Sequence, residues 1–132
     1  METGIQLKKV IRQAIYAGLI AACLNLFWYW VIEKKYSITG LPKGFLVAIA
    51  ISSILPILVG GLGYFAMLKF VPKGEMLFLI IGIAFLVFSI FPSFETNMPD
   101  GTKAPEHFAL LTVPMHFIAG IVGLFMIIKK SK

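Results

Sequence analysis

The feature that most constrains this chain is a set of four long apolar runs. They cover Val10–Ile32, Gly44–Val71, Met76–Phe94 and Phe108–Ile128 of the 132 residues. A helix needs about 20 apolar residues to cross a hydrocarbon core about 30 Å thick, and each run is close to that length or longer. The sequence therefore predicts an all-α, polytopic membrane protein, in which four antiparallel transmembrane helices form a single bundle over residues 1–132.

The first run has a basic flank followed by an apolar stretch, as a secretory signal peptide does. The apolar stretch is longer than the core of a typical signal peptide, and it ends in Trp28–Tyr29–Trp30 rather than at a small-residue cleavage site. We therefore expect a retained helix whose three aromatic residues lie at a membrane interface.

The net charge of +6 is concentrated at the ends of the spans. This distribution favours contacts with lipid headgroups over a nucleic-acid partner, and we expect no nucleic-acid binding. Eight basic residues flank one side of the predicted bundle: Lys8, Lys9, Arg12, Lys69, Lys73, Lys129, Lys130 and Lys132. Four flank the other: Lys34, Lys35, Lys43 and Lys103. The bias predicts a multi-pass protein of the cell membrane with both termini in the cytoplasm.

Polar side chains inside the spans are few, and they are informative because they are costly in lipid. At about 1.5 Å per residue, one group from each helix falls in the same layer, in the outer half of the membrane. We expect these groups to form a polar pocket centred on His116. The candidate ligand-binding residues are Asn25, Ser52, Ser53, Ser89, Thr112 and His116.

Small residues share helix faces with several of these polar groups, which is typical of close helix packing in lipid. The predicted packing faces are Ala14, Gly18, Ala21 and Asn25 on helix 1, Ala48, Ser52, Pro56 and Gly60 on helix 2, and Thr112, His116, Gly120 and Gly123 on helix 4. Pro56 and Pro114 each remove one helical hydrogen bond and free a carbonyl oxygen, which needs another partner at this depth. Pro92 does the same unless helix 3 ends before it.

Three interpretations of the polar layer stay open: hydrogen-bonding between helices, a small pocket for a lipid headgroup, quinone-like molecule or polar solute, and a metal or haem site. We expect no cofactor and no metal. His107 and His116 are nine residues apart and lie on nearly opposite sides of a helix, so they cannot share a ligand. Cys23 is the only cysteine, which excludes an internal disulfide, and we expect it to be a small buried residue.

The third connector is the longest and carries three of the six acidic side chains of the sequence. Glu95, Asp100, Glu106 and His107 are chemically suited to a hard cation, but their spacing matches no known metal loop. We expect a solvated loop with a turn at Asp100–Gly101 and with Pro105 and Glu106 at the start of helix 4.

Several short stretches resemble an uncharacterised family of small four-span bacterial membrane proteins, known only as a domain of unknown function. They are Asn25–Trp28, Ser53–Pro56 with Gly60–Gly61, Phe91–Ser93 and Met115–Gly120. The resemblance implies the four-span topology and a location in the bacterial inner membrane. It implies no mechanism.

These observations favour a non-enzymatic integral membrane protein that binds a lipid or small ligand, or that serves as an accessory subunit. The alternative is a small oligomeric transporter or channel. An enzyme using His116 as a general base is less favoured because neither a nucleophile nor an orienting carboxylate lies at that depth. No residue is predicted to be catalytic. The expected partners are the lipid bilayer and either a second copy of the chain or a larger membrane complex.

Overall fold

The computed structural model describes residues 6–131, and it contains four α-helices and one short 3₁₀ helix in that range. The elements are α1 (Leu7–Tyr36), α2 (Phe45–Phe70), α3 (Gly74–Ser89), the 3₁₀ helix (Phe91–Phe94) and α4 (Phe108–Ser131). All four α-helices are long and apolar enough to span a membrane, α3 together with the 3₁₀ helix that follows it. The predicted all-α bundle of four membrane helices is confirmed.

The helix ends differ modestly from the predicted spans, and two of them have clear physical causes. α1 continues to Tyr36 and stops where Ser37 adopts a left-handed conformation, with its N–H donating to the carbonyl of Glu33. α3 ends at Ser89, and Pro92 lies in the 3₁₀ helix. Pro92 therefore does not interrupt a continuous helix, which is one of the two alternatives that the sequence left open.

α1 and α3 lie on opposite sides of the bundle, and each packs against both α2 and α4. The neighbours predicted from the short connectors, α1 with α2 and α2 with α3, are confirmed. α3 is peripheral because its buried residues are only Gly74 and Phe78. Phe78 stacks against Tyr64 with ring centroids 4.9 Å apart, and the Tyr64 hydroxyl donates to Glu75 Oε2 at 3.4 Å. These contacts hold the start of α3 against the end of α2.

The contact between α1 and α2 depends on glycines. A Cβ atom at Gly18 would lie 3.0 Å from the Cα of Ile54, and one at Gly61 would lie 2.9 Å from the Cβ of Ala14. Side chains at these positions would push the helices apart. The predicted packing face of α1 is confirmed, because its four members are all buried: Ala14, Gly18, Ala21 and Asn25.

The predicted face of α2 is wrong by one position. The buried residues are Ile49, Ser53, Ile57, Gly61 and Tyr64, whereas Ala48, Ser52 and Pro56 are exposed. α2 is apolar around its whole circumference, so hydropathy does not indicate which side faces the bundle. The predicted face of α4 is confirmed only at Gly123, which is buried; Thr112, His116 and Gly120 are half-buried, and Leu111 and Met115 are buried beside them.

Cys23 is exposed on the outside of α1, which contradicts its predicted burial. Its side chain lies on a surface that lipid would cover. A small apolar thiol is compatible with that environment as well as with a core.

The third connector contains the predicted turn. The Gly101 N–H donates to the carbonyl of Met98 at 2.9 Å, and both the N–H and the hydroxyl of Thr102 donate to the Asp100 carboxylate. These hydrogen bonds lower the pKa of Asp100. α4 begins only at Phe108, so Pro105 and Glu106 lie in the preceding turn rather than in the first helical turn.

The close approach at Gly18 generates a stability prediction. Gly18→Leu should destabilise the protein by about 1–3 kcal/mol, because the added side chain overpacks against the backbone of Ile54. Gly63→Leu is the matched control, since a Cβ there meets no atom within 4 Å. Thermal unfolding in detergent micelles measures both. Equal unfolding midpoints for the two variants would contradict the packing described here.

Candidate functional site

Asn25 forms a polar junction between three helices. Its Nδ2 donates one hydrogen bond to Ser53 Oγ on α2, at 2.8 Å, and one to the backbone carbonyl of Met115 on α4, at 3.2 Å. A carbonyl can only accept, so the amide nitrogen must face Met115. Asn25 is 2% exposed and Ser53 is 1% exposed. The junction therefore lies inside the bundle.

Trp28 adds a second contact between α1 and α4. Its Nε1 donates to the backbone carbonyl of Leu111 at 3.1 Å. Trp28 follows Asn25 by about one helical turn, and Leu111 precedes Met115 by about one turn, so the two hydrogen bonds run side by side between antiparallel helices. The sequence predicted Trp28 only as an interfacial anchor. Trp28 lies three residues after Asn25, and this spacing is the sequence signal from which a shared helix face could have been predicted.

The hydroxyl groups near this junction donate to their own helices. Ser53 Oγ donates to the carbonyl of Ile49 at 2.7 Å, and Ser52 Oγ donates to the same carbonyl at 3.2 Å. Thr112 Oγ1 donates to the carbonyl of Phe108 at 2.9 Å. Such bonds satisfy a hydroxyl inside an apolar helix. Each hydroxyl thus has its single proton engaged and retains lone pairs as acceptors.

A cavity of about 160 Å³ lies beside the Asn25 junction, between α2 and α4. We call it the α2–α4 cleft. Its polar lining consists of Asn25, Ser52, Ser53, Thr112 and His116. Ala48 and Ser52 line it and are also exposed, so the cleft opens sideways to the space that lipid would fill. Five of the six predicted site residues are therefore brought together.

His116 is the most versatile group in the cleft. It is half-buried, and its ring makes no hydrogen bond to any part of the chain that the structure describes. A neutral imidazole offers one donor and one acceptor. It is thus the one side chain in the cleft with both kinds of hydrogen-bonding capacity available to a ligand.

Ser89 does not join the cleft, which corrects its predicted place in the pocket. Its hydroxyl donates to the carbonyl of Leu86 within α3, at 2.7 Å. The lining of the cleft comes from α1, α2 and α4. Ser89 is the last residue of α3, which is the peripheral helix, and a position along one helix does not determine which neighbouring helix it contacts.

The polar residues of the third connector are not gathered into a metal site. Within residues 6–131, no group of three or more His, Cys, Asp or Glu side chains is close enough to hold an ion. His107 instead stacks on Tyr36 at a centroid distance of 4.4 Å, and its backbone has a positive φ of 63°. His107 thus caps the contact between the end of α1 and the start of α4.

Comparisons with known proteins found no relative of this chain. No protein-family model, no curated protein and no solved structure matches this chain significantly.

The Asn25 junction predicts energetic coupling between α1 and α2. In a double-mutant cycle of Asn25→Ala with Ser53→Ala, the coupling energy should be about 0.6 kcal/mol and no more than about 1.7 kcal/mol, as for other hydrogen bonds between membrane helices. The same cycle with Ser89→Ala in place of Ser53→Ala should give a value near zero, because Ser89 bonds only within α3. Reversible unfolding in mixed micelles provides the energies. Zero coupling between Asn25 and Ser53 would contradict the junction.

Proposed function

We propose that this chain is a non-enzymatic integral membrane protein that holds a small ligand or one group of a lipid in the α2–α4 cleft. The observation that carries the proposal is His116, which faces a cavity at membrane depth with its hydrogen-bonding capacity unused by the described residues. A polar group that is accessible from lipid and lacks a hydrogen-bond partner costs free energy, unless a ligand or a water molecule supplies that partner.

The size of the cleft limits what it can hold. About 160 Å³ accommodates a group of roughly benzene size or about five water molecules, whereas sites for whole drug-sized ligands begin near 300 Å³. The sideways opening supports an occupant whose larger part remains in the membrane. A lipid or another amphiphile satisfies both limits.

No catalytic arrangement accompanies His116 among the residues that line the cleft. The neighbouring hydroxyls of Ser52, Ser53 and Thr112 each donate to a backbone carbonyl and not to the imidazole. A histidine that activates a hydroxyl must lie within hydrogen-bonding reach of it. This arrangement supports binding rather than covalent catalysis.

The cleft hypothesis predicts a specific loss of ligand. In native mass spectrometry of the purified protein, a co-purified lipid or small molecule should remain on the wild type. His116→Ala should lower its occupancy about fivefold, the effect of losing one hydrogen bond. His107→Ala is the matched control, because it removes a histidine outside the cleft. Equal occupancy in all three proteins, with similar unfolding midpoints, would refute the proposal.

We also propose that the chain lies in a bacterial inner membrane, as the family resemblance implies, with both termini in the cytoplasm and the second and third helices joined on that side. Assembly with a second copy or a larger complex is part of the same proposal. The excess of basic residues near the termini and the second connector supports this orientation.

Cysteine labelling tests the orientation. In a Cys23→Ser background, Asp100→Cys should react with a membrane-impermeant maleimide added to intact cells, because the third connector lies outside. Lys130→Cys should react only after the cells are lysed. Labelling of Lys130→Cys in intact cells would show that the orientation is the reverse.

A further inference from the structure

The hydrogen-bonding groups in the α2–α4 cleft are mostly acceptors. The hydroxyl protons of Ser52, Ser53 and Thr112 are directed to backbone carbonyls, so these groups present lone pairs to any ligand. Ser53 already uses one lone pair for the Asn25 amide. Ser52 and Thr112 remain as acceptors on opposite walls of the cleft.

Two further acceptors belong to residues that line the cleft. Asn25 Oδ1 is buried and has no hydrogen-bond partner among residues 6–131. Pro56 has no N–H group, so the carbonyl of Ser52 lacks its usual helical donor. A buried acceptor without a partner is costly, and a hydrogen-bond donor is the group that relieves the cost. The cleft therefore favours a ligand that donates.

The lining of the cleft also disfavours a charged ligand. Of the described residues that line the cleft, none is Asp, Glu, Lys or Arg. A phosphate would need several donors, and among the described residues that line the cleft the His116 ring is the only side-chain donor not already engaged. An ammonium group would be left at membrane depth without a counter-charge, which is costly. An uncharged donor group needs neither several protein donors nor a counter-charge.

The position of the cleft restricts what the rest of the ligand can be. Thr112 lies about 6 Å along α4 from Phe108, and Ser53 lies about 12 Å along α2 from Phe45, so the cleft is below the membrane surface. Its volume admits one small head, and its exposed edge at Ala48 and Ser52 lets a chain pass into lipid. A long apolar chain with an uncharged, donating head fits these limits.

We propose that the α2–α4 cleft binds the uncharged hydroxyl group of a neutral amphiphile, such as a diacylglycerol or a long-chain alcohol. The hydroxyl donates to Ser52 or Thr112, and it accepts from the His116 ring. The acyl or alkyl chain leaves through the sideways opening between α2 and α4. This proposal rests on the proposed function and specifies the chemistry of its ligand.

Photolabelling in nanodiscs tests the ligand class. Diazirine probes with identical acyl chains are compared as a diacylglycerol, a phosphatidylethanolamine and a phosphatidylglycerol, and labelled peptides are mapped by mass spectrometry. The diacylglycerol should label residues 45–53 and 112–119 at least about fivefold more than either the zwitterionic phosphatidylethanolamine or the anionic phosphatidylglycerol, as the difference of one hydrogen bond predicts. An excess of free glycerol distinguishes a headgroup from a soluble solute: it should not compete.

Variants of Thr112 test whether the labelling depends on the hydroxyl groups of the cleft. Thr112→Val removes the hydroxyl at constant shape and should reduce diacylglycerol labelling, whereas Thr112→Ser should retain it. Ser89→Ala is the matched control, because Ser89 makes a similar bond to its own helix outside the cleft. Unfolding midpoints show that each variant is folded.

The outcomes separate the two proposals. Preferential labelling by either phospholipid, or full competition by glycerol, would overturn the neutral-hydroxyl ligand while leaving the cleft as a binding site. Absence of labelling at the cleft by all three probes, together with no co-purified molecule, would overturn both.

Discussion

The amide of Asn25 is the contact on which the arrangement of α1, α2 and α4 depends. In lipid, apolar helix surfaces gain little by meeting one another, so close packing and hydrogen bonds select the neighbours. One amide donating to Ser53 on α2 and to the Met115 carbonyl on α4 defines how all three helices are rotated and aligned. The Trp28 contact with Leu111 reinforces the same alignment one turn away. α3 has no such contact with the junction and lies at the periphery.

The cleft is a consequence of that alignment. With Ile49 and Ser53 turned towards α1, the next positions on α2, Ala48 and Ser52, line the gap towards α4. With Leu111 and Met115 turned towards α1, Thr112 and His116 line the same gap from the other side. The lining of the cleft thus combines Asn25 and Ser53 from within the packing faces with Ser52, Thr112 and His116 from the positions beside them. This explains how the same helices provide both a tight contact and an open site.

The sequence predicted the helices, their order and most of the polar cluster, because long apolar runs and the cost of polar groups in lipid are strong constraints. It did not predict the rotation of α2, since a helix that is apolar all round carries no amphipathic signal, and small residues at Ala48 and Pro56 suggested the wrong face. It grouped Ser89 with the cluster because depth can be counted along a chain while the identity of a neighbouring helix cannot. Trp28 was missed because tryptophan near a helix end usually indicates an interface.

His116 faces the α2–α4 cleft, and we propose that a non-protein group completes its hydrogen bonding there. An experimental structure of the full chain in lipid nanodiscs, at a resolution that shows ordered lipid and water, tests it most directly. We expect non-protein density between α2 and α4, within hydrogen-bonding distance of the His116 ring and next to Thr112. A closed gap, or an imidazole whose two nitrogens are bonded to other residues of the chain, would contradict it.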